Sequence, residues 1–165
     1  MNKGYIFIYH GEGRGKTTIA IGQGIRAVSN GKEVIMIQFL DYNNTGETAV
    51  LKKLEPEFNV FRFEKARDAM LPFDDHVRKE IKDEINTAFN FTKKIFDTGE
   101  CDLLILDGIA EAINEGYINE KEFLDALSKK MDFMSVIITG SEVNPEIIDA
   151  ADFVYRIQTE KSIVV

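Results

Sequence analysis

Three glycines, a lysine and two threonines stand together near the amino terminus, in the stretch YHGEGRGKTT of residues 9–18. Glycines allow the backbone dihedral angles at which successive N–H groups converge on phosphate oxygens, and the adjacent lysine can reach the same oxygens. The hydroxyl of the threonine after the lysine can coordinate a magnesium ion. The pattern predicts a nucleotide phosphate site formed by Gly11, Glu12, Gly13, Arg14, Gly15, Lys16, Thr17 and Thr18.

One position departs from the usual spacing of such loops, because His10 stands where the first glycine is normally found. The alternative interpretation is a glycine-rich turn that only connects a strand to a helix. However, Gly-Lys-Thr-Thr closely follows an apolar run and opens an amphipathic segment, which favours phosphate binding. We expect His10 to have a packing role in the loop rather than a catalytic one.

A carboxylate suited to the same site comes much later in the chain, at Asp107, directly after the apolar run LLIL of residues 103–106. In phosphate-loop proteins an acid at this position orients the hydrated magnesium ion. We therefore predict that Thr17 and Asp107 are metal ligands and that Lys16 and Asp107 are the catalytic residues. Gly108 occupies the position where many ATP hydrolases carry a water-activating glutamate, so no general base is predicted there.

Gln38 is a further candidate for a nucleotide contact. It interrupts an apolar run near its carboxyl end, and ligands of parallel α/β sheets bind beyond the carboxyl ends of the strands. By contrast, His76 follows Asp74 and Asp75, where a solvated and charge-compensated histidine is a better interpretation than a metal ligand.

The elements that must position these residues alternate along the chain. Apolar runs predict strands over residues 5–9, 33–39, 58–63, 103–106, 135–139 and 153–157. Apolar residues at helical spacing predict helices over residues 15–30, 45–54, 73–96, 119–129 and 145–150. The alternation indicates a single α/β domain over residues 1–165. Its expected fold is three-layered and P-loop NTPase-like (RecA-like), with a mainly parallel sheet of five to six strands and helices on both faces.

The composition narrows the classes of function. A net charge of −8 argues against sequence-independent nucleic-acid binding, which depends on clustered lysine and arginine. The apolar run near the amino terminus is too short for a signal peptide or a membrane span, so we expect a cytoplasmic protein without a membrane partner. The single cysteine, Cys101, is expected to be a small, half-buried hydrophobe without a chemical role.

Five segments, taken in order, resemble one known family: residues 9–18, 34–40, 102–107, 115–118 and 136–154. Together they resemble the ATP:corrinoid adenosyltransferases, which act on cob(I)alamin or cob(I)yrinic acid a,c-diamide, and the resemblance covers most of the chain. The phosphate loop of that family is itself atypical, with a non-glycine residue just before it. His10 therefore fits the pattern of the family.

The resemblance implies a reaction between ATP and a reduced corrinoid. Cobalt(I) attacks the 5′ carbon of the ribose, the 5′-deoxyadenosyl group is transferred, and triphosphate leaves. Because the nucleophile arrives with the substrate, no acid–base pair is needed, and Lys16, the loop amides and Mg²⁺ would stabilise the triphosphate. The resemblance also implies a homodimer, and a reductase or reduced flavoprotein as the electron donor.

The chain departs from the family pattern at three places. The family has Leu-Asp-Glu where this chain has Leu-Asp-Gly at residues 106–108, and that glutamate is thought to help hold the metal. The family has Thr-Gly-Arg where this chain has Thr-Gly-Ser at residues 139–141. The family's tryptophan-bearing segment, which faces the corrinoid, corresponds to residues 64–75, but this chain has no tryptophan and offers only Phe73 there.

These departures leave two alternatives open. The first is a nucleotide-binding, corrinoid-handling module that has lost catalysis, which would explain Gly108 and Ser141. The second is a P-loop ATPase or kinase, which would release orthophosphate or phosphorylate an acceptor. Because position 108 lacks a water-activating carboxylate, the ATPase or kinase ranks last.

Overall fold

A computed structural model describes residues 2–40, 46–67 and 72–164 of the chain. The strands in these ranges are β1 (Ile6–His10), β2 (Val34–Gln38), β3 (Phe58–Arg62), β4 (Leu103–Asp107), β5 (Ser135–Gly140) and β6 (Phe153–Arg156). The α-helices are α1 (Lys16–Ser29), α2 (Gly46–Leu51), α3 (Asp75–Thr98), α4 (Ile109–Asn114), α5 (Glu120–Ser128) and α6 (Pro145–Ala150). A short 3-10 helix spans Lys52–Leu54.

The strands form one sheet in the order β3-β2-β4-β5-β1-β6. The strand pairs formed by the described residues are all parallel. In the register of the sheet, Gln38 lies opposite Asp107, and Tyr9 lies opposite Thr139. The sheet therefore gathers the carboxyl ends of β1, β2, β4 and β5 along one edge. The predicted parallel sheet is confirmed, with six strands.

Helices cover both faces of this sheet, as the two core clusters on either side of β2 show. Ile35 and Ile37 belong to a core cluster that includes residues of α3 and α5. Val34 and Met36, their neighbours in the strand, belong to a second cluster that includes residues of α1. Since successive side chains of a strand point to opposite faces, a strand buried on both faces requires helices above and below. The three-layer arrangement is confirmed.

The predicted element bounds differ from the observed ones by one or two residues at most ends, and capping explains several differences. Gly15 and Asn30 are caps of α1 rather than helical residues. The Asn119 side chain likewise accepts a hydrogen bond from the Glu122 N–H as the N-cap of α5. A cap residue lacks helical dihedral angles although it belongs to the same sequence pattern. At β1, His10 is part of the strand and Tyr5 is not, because His10 pairs with Gly140 and Arg156.

One predicted helix changes type along its length, and one helix was not predicted. The predicted short helix over residues 45–54 is the α-helix α2 followed by the 3-10 helix Lys52–Leu54, and residue 45 lies outside the described residues. Helix α4 was not predicted at all. It has six residues, and four of them, Ile109, Ala110, Ala112 and Ile113, are buried. A helix that is apolar on most sides and less than two turns long shows no helical periodicity.

Helix α3 follows its sequence signals closely. The Asp74 carboxylate accepts a hydrogen bond from the Val77 N–H at 2.9 Å, and Gly99 ends the helix in the left-handed conformation. The His76 side chain is 79% exposed and lies 3.2 Å from the Glu80 carboxylate. The interpretation of His76 as a solvated histidine beside acidic residues is confirmed.

Cys101 is more deeply buried than predicted, with 3% of its surface exposed. Burial, the largest cause, raises the pKa of its thiol to about 12. The thiol therefore remains protonated at neutral pH and acts as part of the core. Within the described ranges, none of the helices is both long enough and apolar enough to cross a bilayer.

Candidate active site

The predicted phosphate loop connects β1 to α1 and is fixed by two segments from the other end of the sequence. The Gly11 N–H donates to the Ser141 carbonyl at 3.0 Å, and the Gly13 N–H donates to the Ile157 carbonyl at 2.9 Å. Gly11 has φ 117°, and a β-carbon there would collide with the Ile157 carbonyl. Only glycine satisfies both the dihedral angle and the close approach. The loop therefore has a defined shape in the folded chain.

Lys16 is the first residue of α1, directly after its N-cap Gly15. Its Nζ donates to the Gly11 carbonyl at 2.7 Å and to the Gly13 carbonyl at 2.8 Å. The ammonium group thus lies across the loop at the positive end of a fourteen-residue helix. Backbone N–H groups and a cation at a helix amino terminus form a favourable environment for phosphate.

Asp107, at the end of β4, is the centre of a hydrogen-bonded group. Its Oδ1 accepts from the Thr17 hydroxyl at 2.9 Å and from the Thr139 hydroxyl at 2.7 Å. The Thr139 Oγ1 in turn accepts from the Gly108 N–H at 2.8 Å. Asp107 and Thr139 are both buried. The fold therefore places the predicted metal ligands Thr17 and Asp107 in direct contact and orients the Asp107 carboxylate with a second hydroxyl.

The oxygen atoms of Thr17 and Asp107 are suitable ligands for a magnesium ion. Mg²⁺ prefers hard oxygen ligands and is commonly bound by one or two carboxylates, several waters and the phosphates of a substrate. The Thr17 hydroxyl and the Asp107 carboxylate supply such oxygens directly beside the loop. Their assignment as metal ligands stays a prediction that this arrangement supports.

A cavity of about 370 Å³ opens at this edge of the sheet. It is lined by Lys16, Thr17, Phe39, Leu40, Asp107, Gly108, Glu111, Thr139, Gly140 and Ser141. The cavity lies beyond the carboxyl ends of β2, β4 and β5, which is where ligands bind in sheets of this class. The predicted catalytic residues, Lys16 and Asp107, line the same cavity.

Among the cavity residues that were not predicted as site residues, Glu111 and Thr139 make side-chain hydrogen bonds. Thr139 had a usable signal, since it is a polar residue near the end of an apolar strand, like Gln38. Glu111 had none, because it lies on the unpredicted helix α4. Its carboxylate Oε1 accepts a hydrogen bond from the Ser141 N–H.

Other predicted contacts lie around the cavity rather than in it. The Thr18 hydroxyl donates to the Glu47 carboxylate of α2 at 3.2 Å, and Arg14 is exposed in the loop. The Glu12 carboxylate accepts from the Thr159 N–H at 2.6 Å. Gln38 is buried, accepts from Arg62 at 3.0 Å, and lines a neighbouring cavity on the side of β3. The roles of these residues in nucleotide binding stay predictions.

His10 lies at the end of β1, between Gly140 and Arg156. Partial burial, together with the charges of Arg156 and Lys16, lowers the pKa of its imidazole below the ordinary value. The ring is therefore neutral at neutral pH. This position in the strand fits the expected packing role.

One part of the cavity wall is formed by Leu40, which has a left-handed φ of 50°. Its N–H donates to the Glu64 Oε1 at 2.8 Å, and Glu64 is 7% exposed. Arg67 follows in the same segment and lies 2.8 Å from Glu84 and 3.4 Å from Glu80, both on α3. The first part of the segment after β3 is therefore attached to α3 by ion pairs, while residues 68–71 lie outside the described residues.

Comparison with known proteins agrees with this geometry. The model of the family described as ATP:corrinoid adenosyltransferase BtuR/CobO/CobP matches residues 2–164. A corrinoid adenosyltransferase of Escherichia coli is 28% identical over 160 residues, which cover 96% of this chain and 79% of that protein. The corrinoid adenosyltransferase CobA of Salmonella typhimurium gives the same identity and coverage.

A corrinoid adenosyltransferase of Pseudomonas aeruginosa is 24% identical over 163 residues, which cover 98% of this chain and 76% of that protein. The family match spans the phosphate loop, Asp107 and every described strand and helix. The comparisons favour an adenosyl transferase over a P-loop ATPase or kinase. The chain belongs to the ATP:corrinoid adenosyltransferase family.

Proposed function

We propose that this protein transfers the 5′-deoxyadenosyl group of ATP to the cobalt(I) of a corrinoid and releases triphosphate. The observation that carries the proposal is the coincidence of a chain-long family match with a cavity that joins Lys16, Thr17 and Asp107. The match identifies the reaction class, and the proposal for the phosphate end of ATP is supported by the ammonium, hydroxyl and carboxylate groups in the cavity.

In this reaction the electron pair of cobalt(I) forms the bond to the 5′ carbon, and the bond from that carbon to the triphosphate oxygen breaks. The electron pair of the broken bond leaves with the triphosphate, whose negative charge increases. The groups that stabilise this charge are the Lys16 ammonium, the loop N–H groups and the amino terminus of α1. No proton needs to be moved, so the site requires no general acid or base.

Mg²⁺, when bound, would supply further electrostatic stabilisation of the triphosphate, and we propose that Thr17 and Asp107 hold it. Support comes from the hydrogen bond of 2.9 Å between these two residues. The Thr139 hydroxyl also donates to the Asp107 carboxylate at 2.7 Å and so orients it. We further propose that Gly11, Glu12, Gly13, Arg14, Gly15, Thr18 and Gln38 contribute to the nucleotide site.

On the corrinoid side, we propose that Phe73 contributes an apolar contact. Phe73 lies just before α3, is 56% exposed, and has the Arg78 guanidinium 5.2 Å from its ring centroid. An exposed aromatic ring can pack against the flat face of a macrocycle. It is the residue that this segment offers in place of the family's tryptophan.

The wider setting follows from the same reaction. Cobalt(I) must be generated by reduction, so we propose a reductase or reduced flavoprotein as the electron donor. We propose one domain over residues 1–165, built on a single sheet, and a cytoplasmic location, where ATP is available.

We propose a homodimer because the edge strand β6 exposes Phe153, Val154 and Tyr155. Light scattering on the purified protein tests the dimer.

The test of the proposed function is incubation with ATP, Mg²⁺ and chemically reduced cobalamin, followed by spectroscopy. We expect a light-sensitive adenosylated product, and we expect Lys16→Ala to lower the rate by about 100-fold or more. The matched control is Lys121→Ala on the exposed face of α5, which should keep the rate of the wild type. ATP binding without any spectral change would instead support a module that has lost catalysis.

A further inference from the structure

The chain departs from the family pattern at positions 108 and 141, and the side chain of Glu111 lies close to both positions. The Ser141 N–H donates to the Glu111 Oε1. A β-carbon built on Gly108 would lie 4.0 Å from the Glu111 Oε2, and one built on Gly140 would lie 3.1 Å from the same oxygen. The Glu111 carboxylate therefore occupies the space between the ends of β4 and β5, next to where a side chain at position 108 would begin.

Position 108 cannot supply a carboxylate in this backbone. Gly108 has φ +79°, and a β-carbon there would lie 2.5 Å from the Phe39 carbonyl oxygen. A residue other than glycine would be strained by the dihedral angle and would also displace the end of β2. The next carboxylate along the chain that lines the cavity is that of Glu111, three residues further on.

We infer that Glu111 replaces the missing glutamate and completes the site for the cation and triphosphate together with Thr17 and Asp107. This inference rests on the proposed function. Helix α4 holds Glu111 firmly, because Ala110 and Ala112 on either side of it are buried. Among the residues that the structure describes, the Glu111 Oε1 has the Ser141 N–H as its partner, and the Oε2 makes no hydrogen bond to the protein.

The charges of the cavity favour the binding of ATP together with a divalent cation. Among the residues that the structure describes, its charged lining residues are one ammonium group, that of Lys16, and two carboxyl groups, those of Asp107 and Glu111. Two carboxylates facing a triphosphate would repel it at close range. The carboxylates would hold a magnesium ion, whose charge would offset this repulsion, and the second carboxylate would strengthen the binding of the cation.

The experiment compares wild type, Glu111→Gln and Glu111→Asp in titrations of ATP by calorimetry at a series of Mg²⁺ concentrations. Glutamine keeps an acceptor for the Ser141 N–H but removes the charge, so it separates cation binding from a purely structural role. We expect Glu111→Gln to raise the Mg²⁺ concentration for half-maximal ATP binding by about tenfold. Metal-free ATP should bind Glu111→Gln no more weakly than wild type, because one negative charge is gone.

Glu111→Asp, which keeps the charge on a shorter side chain, should fall between wild type and Glu111→Gln. The control is Glu115→Gln, at the exposed end of α4 and outside the cavity, which should match wild type. Binding of Mn²⁺, followed by electron paramagnetic resonance, gives a second readout that does not depend on turnover.

An unchanged Mg²⁺ dependence and unchanged Mn²⁺ affinity in Glu111→Gln would overturn the inference and leave Glu111 as an anchor for Ser141. In that case the proposed function would stand, provided that wild type still binds ATP with Mg²⁺ and adenosylates cobalamin. A wild-type protein that binds no ATP at any Mg²⁺ concentration would overturn the proposed function and the inference together.

Discussion

At the scale of single residues, the site depends on how Asp107 is held. Its carboxylate accepts hydrogen bonds from Thr17 on α1 and from Thr139 on β5, so three elements meet at one oxygen. Thr139 also accepts from the Gly108 N–H, which ties the start of α4 to the end of β5. A single hydroxyl thus fixes both the predicted metal ligand and the helix that carries Glu111.

Thr139→Val tests this role of the hydroxyl. Valine has nearly the same shape, but it leaves the Gly108 N–H and the Asp107 carboxylate without the hydroxyl as a partner. We expect the free energy of unfolding to fall by about 1–3 kcal/mol, measured by urea denaturation. Thr87→Val, at an exposed position of α3, is the control and should change stability by less than about 0.5 kcal/mol. If Thr139→Val and Thr87→Val had equal stability, the Thr139 hydroxyl would not contribute to the stability of the fold.

The sequence allows the phosphate loop to be predicted because its groups are consecutive, and their order alone indicates the chemistry. The bond between Thr139 and Asp107 is different, because it joins residues 32 positions apart and depends on the register of β4 and β5. No spacing rule indicates that register. The loop and Asp107 could therefore be predicted, whereas the contact of Thr139 with Asp107 could not.

At the scale of elements, the turn from β4 into α4 is the feature that sequence patterns do not reveal. Gly108 turns the chain with φ +79°, and α4 follows as a short, mostly buried helix. Buried strands appear as apolar runs and long amphipathic helices have periodic patterns, so β2 and α3 were predicted. A six-residue helix has too few turns for a period to appear, and with α4 its glutamate was missed.

Gly108→Ala tests the requirement for glycine at this turn. The left-handed dihedral angle and the close approach to the Phe39 carbonyl should lower the free energy of unfolding by at least about 1–2 kcal/mol. Gly22→Ala is the matched control, since Gly22 is exposed within α1 and a β-carbon there meets nothing within 4 Å. It should raise stability by about 0.5–1 kcal/mol. Thermal unfolding of both variants should show changes in stability of opposite sign. A Gly108→Ala variant that is more stable than wild type would contradict the requirement for glycine.

The segment after β3 gives a prediction about pH. Burial is the largest cause of the raised pKa of Glu64, and Glu84 acts in the same direction. The increase in the pKa is reduced by the hydrogen bond from the Leu40 N–H and by the charges of Arg67 and Arg62. A carboxyl group whose pKa is higher in the folded state stabilises the fold most at low pH. That contribution is lost as the pH rises through the folded-state pKa.

We therefore expect wild type to lose stability relative to Glu64→Gln as the pH rises from 4.5, the ordinary glutamate value, towards neutrality. Glutamine keeps an acceptor for the Leu40 N–H, so the wall of the cavity should persist. Urea denaturation at several pH values measures the difference. The exposed variant Glu115→Gln serves as the control, and a difference between wild type and Glu64→Gln that does not vary with pH would exclude this role of Glu64.

At the scale of the whole molecule, one parallel sheet brings together groups that lie far apart in the sequence. The loop follows β1, Asp107 ends β4, and Thr139 lies near the end of β5, all at the same edge. The alternation of strands and helices predicts such a sheet, but the order of its strands comes only from the structure. The family match indicates the reaction that we propose for this edge.

The central claim is that the loop binds triphosphate as a leaving group rather than as a phosphoryl donor. Phosphorus NMR of the products formed from ATP, Mg²⁺ and reduced cobalamin tests it most directly, because the two bond cleavages give different compounds. Cleavage at the 5′ carbon should give triphosphate in an amount equal to the adenosylated corrinoid. The appearance of ADP and orthophosphate in place of triphosphate would contradict the claim.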